Sequence, residues 1–262
     1  MRITLTRAEL LLATLCALLL LAALAGPPVN QPAHFHAFAD QRALWGVPHA
    51  LDVLSNLPFA LAGGAGLWLL RAGGGLPLAP TQRACARLFF AGLVLTATCS
   101  GGYHLQPSDL GLAVDRAGMS VAFAGLLGLL VATKVSERSG GLLALGVLLV
   151  SPAAIAVCLR TGNVLPWALV QGGGLLLILA FGFGATRPAA LDVRWAGVLI
   201  AYAVAKLLEA GDHAVFDASA QLLSGHTLKH VVAALAAWPV LAAIRALRPV
   251  QNAPSSAATV RA

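Results

Sequence analysis

Residues 141–158 read Gly141-Leu-Leu-Ala-Leu-Gly-Val-Leu-Leu-Val-Ser-Pro-Ala-Ala-Ile-Ala-Val-Cys158, a stretch without a single charge. A helix rises about 1.5 Å per residue and the hydrocarbon core of a bilayer is about 30 Å thick, so the run has the length of a membrane crossing. Outward from it in both directions, similar runs recur at about 8–25, 51–70, 85–104, 113–133, 165–184, 195–211 and 227–247. Backbone polar groups in lipid must be satisfied within their own segment, and runs of this length satisfy them as helices rather than strands. The expected fold class is all-α: a polytopic membrane helix bundle with a seven-helix core plus one additional N-terminal helix. Composition agrees, since 59% of the 262 residues are hydrophobic and only 10% are charged, which excludes a soluble globular domain.

The chain divides into 1–27, an N-terminal transmembrane helix or signal anchor; 28–248, the seven-helix domain; and 249–262, a polar tail expected to be a disordered cytoplasmic segment. Arg2 and Arg7 before the first run, and Ala23-Leu24-Ala25 at its end, resemble a signal peptide, but the run is long for one and a retained helix is expected. With eight crossings, twelve Lys and Arg fall on the side of both termini and five (Arg42, Arg116, Arg160, Lys206, Lys229) on the other, which puts the termini in the cytoplasm. The Ala-, Leu- and Gly-rich composition is of a bacterial kind, so the expected location is an inner membrane. No basic patch interleaved with aromatics suggests nucleic acid, and the bilayer itself is the expected partner. Cys16, Cys85, Cys99 and Cys158 lie on different runs without C-x-x-C spacing and read as small buried hydrophobes. Ala62, Gly66 and Gly172–Gly174 read as close helix packing, and Gly73–Gly75 as a turn.

Ionisable residues at membrane depth are costly, so each one is a functional suspect. Here they gather at the ends of runs on one side: Asp52, Ser55-Asn56, His104, Asp115-Arg116, Glu209, Asp212-His213, His226 and His230. His226-Thr-Leu-Lys-His230 puts two imidazoles on one helix face, behind a cap and turn at Ser224-Gly225. A third His from another helix would complete a three-ligand zinc site with an open position. Thr227 stands where H-E-x-x-H zinc proteases carry Glu, so a general base must come from elsewhere. Ser100 and His104 share a helix face, and a turn at Pro107-Ser108-Asp109 leads into the helix that carries Asp115. Plainer readings stand beside these. The His pair could bond loop carbonyls, Asp115 could meet the helix dipole or Arg116, and Ser100 could bond the carbonyl of residue 96.

Over about residues 40–240 this arrangement resembles the alkaline ceramidase family, part of a wider group of seven-helix membrane hydrolases that includes the adiponectin receptors. The resemblance rests on Ser100-x-x-x-His104, Asp115 in the next helix, and His226-x-x-x-His230 opening the last. Ser55-Asn56-Leu57 and Asp212 with Phe216 add to it. It implies a zinc-dependent amide hydrolase that cleaves the N-acyl bond of ceramide or a ceramide-like lipid, giving a free fatty acid and a lipid amine. By the same resemblance His104, His226 and His230 bind Zn²⁺ near the non-cytoplasmic face. Asp115 moves a proton from water to the leaving amine, and Ser100 hydrogen-bonds the water or the developing oxyanion. Where animal and fungal members carry an acidic calcium site, only Asp40 and Asp52 stand here, too few oxygen ligands for calcium. Arg116 replaces an acid common in the family, and many bacteria lack sphingolipids, so another N-acylated lipid fits as substrate.

Two other functions use the same residues. A zinc-containing lipid receptor or sensor would need the metal without turnover. A haem-binding electron-transfer protein would use His pairs as axial ligands. His34, His36 and His49 read as loop or interfacial residues, and Glu209 and His213 as neighbours of the site rather than ligands.

Overall fold

The computed structural model describes residues 4–72 and 76–247. The Gly73–Gly75 turn, the 249–262 tail, and Arg2, Arg248 and Arg261 of the charge asymmetry lie outside the described residues. Among those described, the regular structure is helical: α1 Arg7–Ala25, α2 Ala50–Leu54, α3 Leu57–Ala72, α4 Pro80–Leu105, α5 Asp109–Lys134, α6 Glu137–Thr161, α7 Leu165–Phe181, α8 Trp195–Ala210, α9 Asp212–Ala218, α10 Gly225–Leu235 and α11 Trp238–Ala246. Every apolar run of the sequence falls on this set. Six spans are long and apolar enough to cross a membrane, counting α2 with α3 and α10 with α11 as one span each. α7 and α8, with 17 and 16 residues, are shorter. The outside of the bundle is apolar: Leu61 is 73% exposed and Leu207 72%, which suits a lipid surround rather than water.

Two spans are broken where the sequence reads as continuous, and each break precedes a proline. Pro58 sits in the first turn of α3 and Pro239 in the first turn of α11. Proline has no N–H to give to the carbonyl four residues back, so the helix restarts there. At the first break Ser55 Oγ and Asn56 Nδ2 donate to the carbonyl of Asp52, at 3.0 and 2.8 Å. The fourth span also starts earlier than its apolar run. Ser108 caps α5 by accepting from Gly111 N–H, so Asp109 occupies the first turn and Asp115 lies deeper.

The centre of the bundle is the α4–α5 pair. A Cβ on Gly92 would stand 2.2 Å from Ala122 N, and one on Gly125 2.1 Å from Phe89 N. Only glycine lets these backbones approach so closely. Gly66 is packed against the Phe90 ring, Gly173 against Leu19 and Gly174 against Leu127, as close packing predicts, whereas a Cβ on Gly172 would meet nothing within 4 Å. The buried core runs along these helices through Phe89, Phe90, Leu127, Leu130 and Val131. At one end Gln82 and Arg187 both donate to Glu137. At the other, residues 26–49 lie across the helix ends as an irregular strap, tied to the α6–α7 turn by Gln31 N–H to Gly162 O and Val164 N–H to Val29 O. The polar run ends anticipated from sequence meet beneath this strap.

Candidate metal centre

The N-terminus of α10 carries two of the three histidines, and buried acceptors fix it in place. Ser224 Oγ accepts Thr227 N–H at 2.9 Å. Asp212 Oδ1 accepts His226 N–H at 2.7 Å, and Asp52 Oδ1 accepts the Thr227 hydroxyl at 2.6 Å. Asp212 and Ser224 thus satisfy free N–H groups of the helix N-terminus, and Asp52 adds a second carboxylate through the Thr227 side chain, where the dipole favours negative charge. Gly225 allows the closeness: a Cβ there would lie 2.2 Å from Leu208 O and 2.8 Å from Asp212 Cα.

His226 and His230, one turn apart on α10, meet His104 from the last turn of α4. All three are buried, and one ring nitrogen from each lies within 4.8 Å of the others. His104 Nε2 and His226 Nε2 are 3.2 Å apart. A tetrahedral ion with metal–nitrogen bonds of about 2.0–2.1 Å has an edge of about 3.3 Å, so the pair is spaced as two ligands of one ion. His230 Nδ1 lies 2.8 Å from Ser55 Oγ, whose single proton goes to the Asp52 carbonyl. Ser55 can therefore only accept there. That places the proton of neutral His230 on Nδ1 and leaves Nε2 with a free lone pair, the second-sphere arrangement common in metal-ligating histidines. This donor set fits a metal ion. Asp40 pairs with Arg42 at 2.6 Å, and Asp52 Oδ1 accepts from Ser224 and Thr227 while Asp52 Oδ2 is buried without a partner.

Beside the histidines lies a cavity of ≈ 70 Å³ lined by Ser100, Asp115 and His230, with room for several waters. Thr96, Met119 and Ala233 also line it, each about one turn further into the bundle than Ser100, Asp115 and His230. The cavity thus extends from His230 toward the middle of the bundle. Asp115 Oδ1 is buried with no hydrogen-bond partner. Arg116 is not its partner. That guanidinium points away, donating to Cys158 Sγ at 2.8 Å and lying over the rings of Phe35 and Trp167. The helix-dipole reading of Asp115 also fails, because Asp109 takes the first turn.

The structure brings Ser100, His104, Asp115, His226 and His230 together as their spacing anticipates, and it adds residues that the sequence left unassigned. Phe38 of the strap lies over the cluster, its ring centroid 4.7 Å from that of His104 and 4.4 Å from that of His226. The strap is held by Ala39 N–H to Asp212 Oδ2, His213 to Ala37 O and Arg42 to Leu222 O. Asp212 therefore joins the strap to the histidine helix. His36 and His49 are loop residues, bonded to Tyr103 and to the Asp40 carbonyl. Ser55 orients His230, a role that no local pattern carries because the two are 175 positions apart. Glu209 accepts from Lys229 at 2.6 Å and also from Lys206, and all three line the cavity. Compared with known protein families and with curated proteins, the chain matches none.

Proposed function

We propose that this protein is a zinc-dependent intramembrane hydrolase that cleaves the amide bond of an N-acyl lipid, as its resemblance to the alkaline ceramidases implies. A seven-helix core with one additional helix, termini in the cytoplasm and a site near the outer face belong to the same reading. One observation carries it: a buried trio of histidines has one member, His230, on the wall of a cavity that Ser100 and Asp115 also line, and Asp115 Oδ1 is buried there without a partner.

Bound by His104, His226 and His230, zinc would supply Lewis-acid polarisation of a carbonyl and acidification of a water to a pKa of about 7. The chain's own groups do the rest. Asp115 Oδ1, free of other partners, takes a proton from the attacking water and returns it to the leaving nitrogen, so one water and one amide become a fatty acid and an amine. The Ser100 hydroxyl donates to oxygen at the reacting carbon. Ser55 keeps the His230 proton on Nδ1. Phe38 lies over the cluster, and the deeper part of the cavity, beside Thr96, Met119 and Ala233, takes the start of the acyl chain.

The three imidazole rings are in mutual edge contact, with centroids 4.7 to 5.0 Å apart. This leaves no slot for a macrocycle and favours a compact ion over haem. Fatty-acid release from N-acyl lipids by detergent-purified protein tests the reading against a receptor that never turns over. Release by the native chain and none by Asp115→Asn is the expected result. No release from any N-acyl lipid by a zinc-loaded, folded preparation contradicts it.

A further inference from the structure

The cavity beside the histidines has a second wall that the hydrolytic chemistry does not use. α8 contributes Tyr202, Lys206 and Glu209 to it, and α10 contributes Lys229. Glu209 bridges the two ammonium groups. Two cations on one carboxylate leave one positive charge over within this trio, balanced in the cavity as a whole by the Asp115 carboxylate. Each ammonium has three donors and spends one on Glu209, so donors remain on both. Lys229 is largely buried, its side chain 18% exposed. The Tyr202 hydroxyl is buried and has no hydrogen-bond partner at all. Its ring is held edge-on by Phe123 at 6.0 Å, and it stands one turn from Lys206 on the same helix. A buried orphan hydroxyl next to a cluster with surplus positive charge costs free energy unless something accepts from it. The unpartnered Asp115 oxygen lines the same cavity, which therefore holds a free acceptor together with the donors of Tyr202, Lys206 and Lys229.

We propose that Tyr202, Lys206 and Lys229 form a carboxylate-binding subsite, and that the lipid recognised here is an N-acylated amino acid rather than a neutral ceramide. This rests on the hydrolase reading above and narrows its substrate. An N-acyl amino acid carries its carboxylate a few bonds from the amide, which suits a small cavity holding both a reaction site and an anion site. A phosphate would be larger and would have to displace more of the Glu209 bridge. Ammonium donors on a carboxylate make charge-assisted hydrogen bonds, the stronger class, and the largely buried Lys229 is better shielded from water than Lys206, which is 45% exposed.

The test is isothermal titration of the full chain in neutral detergent with two amides of the same acyl chain, N-oleoylglycine and N-oleoylethanolamine, which differ in the carboxylate. The native protein should bind the acid about tenfold tighter or more, the scale of one charge-assisted hydrogen bond. Tyr202→Phe, which keeps the ring, and Lys206→Met should each narrow that ratio several-fold. Equal affinities in the native protein, or a ratio unchanged in both variants, would overturn the proposal. Hydrolysis of both amides measured in parallel separates the two claims. A strong preference without turnover keeps the subsite and overturns the hydrolase, whereas turnover of both at equal affinity does the reverse.

Discussion

His230 is useful as a ligand only if its lone pair points at the other two imidazoles, and Ser55 decides that from the far end of the chain. Ser55→Ala removes the acceptor from His230 Nδ1 at 2.8 Å while changing little volume. Zinc affinity should fall about 10- to 100-fold, the usual cost of a lost outer-shell partner, measurable by competition with a chelator. Asp115→Asn is a different kind of change. Asn keeps the shape but cannot accept a proton, so turnover should drop about 10²- to 10⁴-fold while bound zinc stays at the native level. Zinc loss in that variant would make Asp115 a ligand instead. Arg116 acts as packing, its guanidinium held between Phe35 and Trp167 rather than on Asp115. Its neighbour in sequence gave no hint of this, because adjacent helix residues point about 100° apart and face different surroundings.

Among the elements, the N-terminus of α10 is the most constrained, since Ser224, Asp212 and Asp52 all converge on it. Gly225→Ala puts a methyl against the Leu208 carbonyl, which must push α10 away from α8. Zinc content and thermal stability should fall together, whereas a purely local cap defect would cost only about 1 kcal/mol and spare the metal. The strap over the site has its own pH dependence through Asp40. Burial pushes that carboxyl up, but hydrogen bonds and the charge of Arg42 outweigh it and hold it below the ordinary value of 3.8. A carboxylate lowered on folding stabilises fully above its unfolded pKa, and the contribution disappears as pH falls through the lowered value. Amide-exchange protection of residues 37–42 should thus be constant at neutral pH and weaken below pH 3.8 in the native chain. In Arg42→Gln it should be weak throughout. At this scale the sequence was readable in part. Apolar length located every long span, but the breaks at Ser55-Asn56 and Ala236-Ala237 were signalled only by Pro58 and Pro239, which apolar length alone passes over. The strap is irregular, and its hold on the site comes from contacts such as Ala39 to Asp212, 173 positions apart, which leave no periodic signal.

Over the whole molecule, the α4–α5 pair is what turns separate helix ends into one site. Backbone contacts at Gly92 and Gly125 hold together the two helices that carry His104 and Asp115. Gly125→Leu clashes with the Phe89 backbone, so its cost should exceed the about 1–3 kcal/mol typical of overpacking, and it should lower the melting temperature and the zinc content at once. The site ligands were legible because membrane depth makes any ionisable residue conspicuous, so that His104, Asp115, His226 and His230 stood out against the apolar runs around them. Phe38 and Tyr202 were not, and Ser55 stood out only as part of Ser55-Asn56 at a run end, without its role, since only packing shows the partners of serine and aromatic residues. The central claim is that three distant histidines make one metal centre. Its most direct test is elemental analysis of detergent-purified protein with its absorption spectrum, on the native chain and on His104→Ala, His226→Ala and His230→Ala. About one zinc per folded native chain without a haem band, and none in any of the three variants, is the result expected of a three-ligand site. Stoichiometric zinc retained in those variants, or a folded native chain that takes up no zinc when it is supplied, would contradict it.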